Sequence, residues 1–166
     1  MVGCNQTAKN PKAGTPSDKK PVVSQGPPTH RMDLEGVAIP DVPLVAHING
    51  KTVKFHRVEA TTAKEGGDRA TGLNFNVGGK ILSVRLPSSL VVHSDKKWEI
   101  LKPTKKTEDY KHLMVGIPGK HYYSGFVMRL ALGKAADGKL PGRIYLCLPD
   151  DEKSFIAGKF EAEILP

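Results

Sequence analysis

The stretch Leu73-Asn74-Phe75-Asn76-Val77-Gly78-Gly79-Lys80-Ile81-Leu82-Ser83-Val84-Arg85 decides the fold class. Apolar and polar residues alternate with period two on both sides of a Gly-Gly pair, the pattern of two antiparallel strands with one buried face. A two-residue turn at Gly78-Gly79 sets Phe75 opposite Leu82 and Leu73 opposite Val84. Asn74, Asn76, Ser83 and Arg85 then fall on the other face. A slip of one residue would turn one strand's apolar set outward, so the register is well specified.

The same parity extends outward. Around Asn49-Gly50 it pairs Ile48 with Lys51, Ala46 with Val53 and Leu44 with Phe55. Farther on, Phe126, Met128, Leu130 and Leu132 alternate inward, the chain turns at Asp137-Gly138, and Ile144, Leu146 and Leu148 return. A last strand sets Ile156, Phe160, Ala162 and Ile164 against Lys159, Glu161 and Glu163. Weaker strand patterns occupy 89–93, 98–101 and 112–117. The expected fold is all-β: about nine short strands with one core, in an antiparallel β-sandwich or a partly open β-barrel, between which the pattern does not choose.

The chain has 166 residues, 39% of them hydrophobic, which suits one domain. No apolar run approaches the roughly 20 residues of a membrane-spanning helix. Composition changes near residue 36. From Asn5 to Thr29 the residues are mostly polar, with Pro11, Pro16, Pro21, Pro27 and Pro28. Too little apolar surface is present there to offset ordering entropy, so 1–36 is expected to be a disordered tether and 37–166 a single all-β domain. Gly3-Cys4 before the tether resembles the start of a mature bacterial lipoprotein, in which the cysteine carries the lipid. Only Met1 and Val2 precede it, so either a signal was removed or Cys4 is an ordinary cysteine.

Gly125-Phe126-Val127-Met128-Arg129-Leu130 and the stretch from Lys139-Leu140-Pro141-Gly142-Arg143-Ile144 through Asp150-Asp151-Glu152-Lys153 to Phe160-Glu161-Ala162 resemble the C-terminal strands of uncharacterised secreted or lipoprotein β-domains of planctomycete-type bacteria. The resemblance implies a β-fold and an extracytoplasmic place, at the cell envelope or secreted. It implies no activity, and residues 87–121 have no counterpart in it.

Chemistry is sparse. His30, His47, His56, His93, His112 and His121 show no metal-ligand spacing, so no metal or other cofactor is expected. Cys147 shares a strand face with Arg143 and Tyr145 and reads as a packing residue. Asp150-Asp151-Glu152 reads as a turn rather than a cation site, and Gly66-Gly67 as hairpin glycines.

The net charge of +8 arises from 25 basic and 17 acidic residues. Residues 96–123 concentrate it: Lys96, Lys97, Lys102, Lys105, Lys106, Lys111 and Lys120 stand against Glu99, Glu108 and Asp109, beside Trp98, Tyr110, Tyr122 and Tyr123. Cations attract an anion while rings stack on sugars or bases. Trp98, Lys105, Lys106, Tyr110, Lys120, Tyr122 and Tyr123 are therefore the candidate ligand surface. The competing reading makes Trp98 and one tyrosine core residues, with lysines guarding an edge strand. The function expected is a non-catalytic, monomeric extracytoplasmic module that binds a polyanionic or neutral glycan or an envelope protein, meeting the membrane only through a lipid on Cys4. The alternative is a basic OB-like nucleic-acid-binding domain.

Overall fold

A computed structural model of the chain describes residues 27–65, 68–86, 95–105 and 113–165. Its regular elements are all strands: β1 (Val45–Ile48), β2 (Lys51–Val53), β3 (Arg57–Glu65), β4 (Asp68–Val77), β5 (Lys80–Leu86), β6 (Lys96–Ile100), β7 (Met114–Ile117), β8 (Lys120–Tyr122), β9 (Val127–Leu132), β10 (Lys139–Cys147) and β11 (Phe155–Ile164). Nine of them form one continuous sheet in the order β6-β9-β10-β11-β3-β4-β5-β7-β8, which curls into an open half-barrel. The β1–β2 hairpin attaches to β11 beside that path.

The hairpin registers follow side-chain parity. Phe75 lies opposite Leu82 and Leu73 opposite Val84. Ile48 faces Lys51 and Ala46 faces Val53, while Leu44 and Phe55 pack on the core beyond the last ladder pair. Asn49, Gly50, Gly78 and Gly79 all have positive φ, as a type I′ turn requires at both central positions. Asp137 and Gly138 do the same between Ala136 and Lys139. The strand pattern at 98–101 becomes β6 and that at 112–117 becomes β7, whereas 89–93 lies outside the described residues.

One pairing departs from an antiparallel sheet, because β11 lies parallel to β3. The cause is a fork. One edge of β11 pairs with β10 from end to end. The other edge holds β1 at residues 155–157 and β3 at residues 163–164. Antiparallel to β1, β2 already runs in the direction of β11, and the chain steps through residues 54–56 into β3 without reversing. Arg57 bridges Glu59 at 3.1 Å and Glu163 at 2.5 Å, neutralising two carboxylates that face each other across the parallel pair.

The inward face collects Leu73, Phe75, Leu82, Val84, Val115, Met128, Leu130, Ile144, Leu146 and Ile156 into one cluster. A second cluster covers the convex face, so the expectation of a single core is corrected. Val127, Tyr145, Cys147 and Ala157 point outward and are roofed by Leu34 and Val37, with Met32 and Ile39 alongside. The roof is residues 29–42, so packing begins before the composition change at residue 36. The Tyr145 hydroxyl donates to the Thr29 carbonyl at 2.6 Å, His30 Nε2–H donates to the Leu148 carbonyl at 2.7 Å, and the Leu34 amide donates to the Leu101 carbonyl at 2.9 Å. Leu34 is fully buried, a burial worth about 1.5–3 kcal/mol. A strap of irregular backbone has no periodicity to betray it in sequence.

Phe160 ties the sheet's limbs together. Its ring meets Phe75 edge-on at 5.4 Å, and Phe75 meets Phe55 at 5.6 Å. It lies over Gly142, its cross-strand partner, where a Cβ would come within 2.7 Å of Cε2. Gly142→Ala is expected to lower unfolding stability by about 1–3 kcal/mol in urea denaturation, because the added methyl overlaps the ring and forces it off its edge-on contact with Phe75. Phe160→Leu in the same chain should recover part of that loss; strictly additive effects would disprove the contact's role.

Candidate functional site

Two surfaces combine cations with space, and each is assembled by strand pairing. The first lies on the convex face. Successive cross-strand partners Lys97, Ala131, Arg143 and Lys159 form a row across β6, β9, β10 and β11. With strands about 4.8 Å apart, the row sets three cations along roughly 14 Å. Ala131, Gly133 and Pro141 keep the floor low, and Asp95 stands at one end, enclosing a groove of about 460 Å³. A second hollow of about 250 Å³ continues it past Ala38 and Ile39 of the strap to Glu99 and Arg129.

Charge in this groove is incompletely balanced. Lys159 pairs with Asp41 at 3.0 Å, and Arg129 reaches Glu99 at only 3.7 Å while its Nε is buried without a partner among the described residues. Among the described residues Lys97 and Arg143 make no ion pair. Arg143 sits directly opposite Lys159, a like-charge pair that costs the sheet stability.

The second surface is one end of the half-barrel, where hairpin tips converge. Ile48-Asn49-Gly50-Lys51, Val77-Gly78-Gly79-Lys80 and Ile117-Pro118-Gly119-Lys120 repeat one pattern, an apolar residue, a turn pair ending in glycine, and lysine. In each the lysine lies directly opposite the apolar residue, on the inward face of its strand. The Asn49 side-chain amide donates to the Pro118 carbonyl at 3.4 Å, and the Asn49 backbone amide to Ser154 Oγ at 3.0 Å. Ile48, Val53, Val77, Leu82 and Pro118 line a pocket of about 190 Å³ there, with Asn49, Lys51 and Lys80. The recurring tetrapeptide is a signal that strand parity alone passes over.

The aromatic and basic residues singled out in sequence are divided. Trp98 is half-buried on the inward side of β6 and packs on the core, with its Nε1–H buried and unpartnered among the described residues. Tyr122 is buried on β8, at the opposite terminus of the sheet, and donates to Asp150 Oδ2 at 3.4 Å. Burial pushes its phenol up from the ordinary range. Lys120 lies over that ring, 5.2 Å from its centre, and the Tyr122 hydroxyl holds the ammonium above the usual lysine range. Tyr123 and Lys105 are exposed. Lys106, Tyr110 and Cys4 lie outside the described residues.

The remaining candidates have structural partners. Asp150 is buried and caps its own turn, accepting the Ser154 amide at 2.7 Å. His47 stacks on Phe155 with ring centres 6.3 Å apart. Cys147 is buried under the strap, and its sulfur accepts the Arg31 amide at 3.3 Å. Burial outweighs the nearby Arg31 charge and pushes the thiol up to about 11. That is the direction opposite to a reactive thiolate. Comparison of the chain with known protein families, curated proteins and solved structures gives no match.

The Cys147 environment has a pH signature. A thiol whose pKa rises on folding contributes stability that is complete below the unfolded value near 9.0 and is lost as pH climbs toward about 11. Between pH 9 and 11 the native chain should lose up to about 2–3 kcal/mol more than Cys147→Ala does, measured by urea denaturation across that range. Parallel curves for the two proteins would show that the thiol is not desolvated as described.

Proposed function

We propose that the chain is a non-catalytic binding module of the bacterial cell envelope whose convex groove holds an acidic envelope polymer. The observation that carries this reading is the Lys97–Arg143–Lys159 row. Two of its three cations have no acidic partner among the described residues, and the Arg143–Lys159 juxtaposition is unfavourable to folding, so an external anion gains where the isolated domain does not. An anionic chain crossing the strands would meet a cation at three of four successive positions. Single-stranded nucleic acid is held in part by stacking on exposed rings. Among the described residues the one aromatic side chain lining this groove, Phe160, is buried against Phe75, which favours a polymer held by charge.

The extracytoplasmic placement rests on sequence: the Pro- and Lys-rich N-terminal segment, Gly3-Cys4 as a lipid-bearing start, and the resemblance of residues 125–162 to secreted planctomycete-type domains. In this reading the strap from Thr29 to Val42 joins the anchored end to the groove, because Ala38 and Ile39 form part of its wall.

The test is a binding series with an acidic polysaccharide, a neutral polysaccharide and a single-stranded oligonucleotide at about 50 and 200 mM salt. Binding of the acidic polysaccharide should weaken about tenfold or more across that interval, as displaced counterions no longer drive it. Lys97→Glu with Arg143→Glu should abolish it while leaving Tm unchanged or slightly raised, since residue 143 then attracts Lys159. A tighter, equally variant-sensitive complex with the oligonucleotide would favour the nucleic-acid alternative. Indifference to both substitutions would remove the groove from the function.

A further inference from the structure

The pocket at the hairpin tips is independent of the convex groove. We propose that it is a binding site for a small amphipathic carboxylate, a single ring or a chain of about six carbons, whose acid group is held between Lys51 and Lys80.

Turn chemistry accounts for Asn49-Gly50 and Gly78-Gly79 but places no demand on the lysine that follows. Strand parity then sets Lys51 on the side of Val53, and Lys80 on the side of Leu82 and Val84, which is the face that builds the core. An inward lysine on an edge strand can serve to block strand addition. That account is available for Lys51, because β2 pairs with β1 alone. That account is weaker for Lys80, because β5 lies between β4 and β7 and its ladder to β7 at Ser83–Arg85 leaves only the first residues of that edge unpaired, beside Pro118.

Lys120 shows what the same position does when its charge is satisfied within the protein. It lies over the Tyr122 ring with Asp150 and Glu152 nearby. Lys51 and Lys80 are exposed at the rim, and neither has an ion-pair or hydrogen-bond partner among the described residues. Between them lie Ile48, Val53, Val77, Leu82 and Pro118, apolar side chains that exclude a strongly hydrated occupant.

Size and charge narrow the class. The space of about 190 Å³ falls below the roughly 300–1,000 Å³ of sites for drug-sized ligands. An apolar cavity of about 150 Å³ is enough for one benzene ring. Two ammonium groups at the mouth and an apolar interior therefore match a carboxylate whose short tail enters the pocket. A long acyl chain would have to continue into solvent.

Titration of the whole chain with hexanoate and with 3-phenylpropionate, followed by methyl NMR shifts and calorimetry, tests this. Saturable binding with Kd about 1 mM or tighter is expected, with the largest shifts at Val77 and Leu82. Lys51→Met with Lys80→Met should weaken it at least tenfold, because the lysine stems are replaced in shape while the charges are lost. Lys80→Arg should retain it. 1-Hexanol should bind at least tenfold more weakly than hexanoate. The Lys97→Glu, Arg143→Glu protein should bind hexanoate like the native chain, so the fate of this site and that of the groove are read separately. The proposal is overturned if neither acid saturates, if hexanol equals hexanoate, or if the methionine variants bind undiminished.

Discussion

The architecture turns on the demand that one edge of β11 places on the backbone. Two different neighbours share that edge, β1 near its start and β3 near its end, and the chain must change partners between them. The change falls at Gly158, whose φ of 125° is accessible to glycine and strained for other residues. A Cβ there would also stand 2.6 Å from the Pro43 carbonyl oxygen and 2.8 Å from that of Val42. The absence of a side chain admits the strap against the strand, and the Lys159 amide then donates to the Val42 carbonyl at 2.8 Å. Two residues later Phe160 occupies the space over Gly142. Glycine at 158 and at 142 thus lets the strap close on the convex side while an aromatic cluster fills the concave side.

The two proposed sites inherit their form from this arrangement. The groove exists because four strands brought together by β9, β10 and β11 present one residue each to a row, and because Ala131 and Gly133 are too small to fill it. The tip pocket exists because the sheet curls far enough for separate hairpins to touch, as the Asn49–Pro118 and Asn49–Ser154 hydrogen bonds record. Neither site contains Cys147 or Asp150. Their polarity is absorbed by the strap and by a turn, respectively.

The aromatic residues show why a basic, ring-rich segment misleads. Trp98 and Tyr122 sit within 25 residues of each other in sequence, yet they stand on the two terminal strands of the sheet. Each faces inward for the reason parity supplies: Trp98 lies opposite Leu130, and Tyr122 opposite Val115. Large rings bury more apolar area than any neighbour can offer, so the core claims them before a ligand does. Tyr123, one residue on from Tyr122, is left half-exposed.

Local chemistry was enough to determine the all-β class, the turns at Asn49-Gly50, Gly78-Gly79 and Asp137-Gly138, and the registers around the first two. Period-two alternation and positive-φ turn residues act over a few positions and need no distant partner. The inward face of β9, β10 and β11 was legible for the same reason, and Lys51 could be read as the partner of Ile48. Tertiary structure alone decided the parallel joining of β3 to β11, the strap over Tyr145 and Cys147, and the convergence of the hairpin tips. It also decided that Lys97, Arg143 and Lys159 share a row although up to 62 positions separate them in sequence. Those features depend on which strand edges meet after the sheet curls and on which irregular segment covers an apolar face. Such choices are settled by burial and shape across the whole chain, and no local periodicity encodes them.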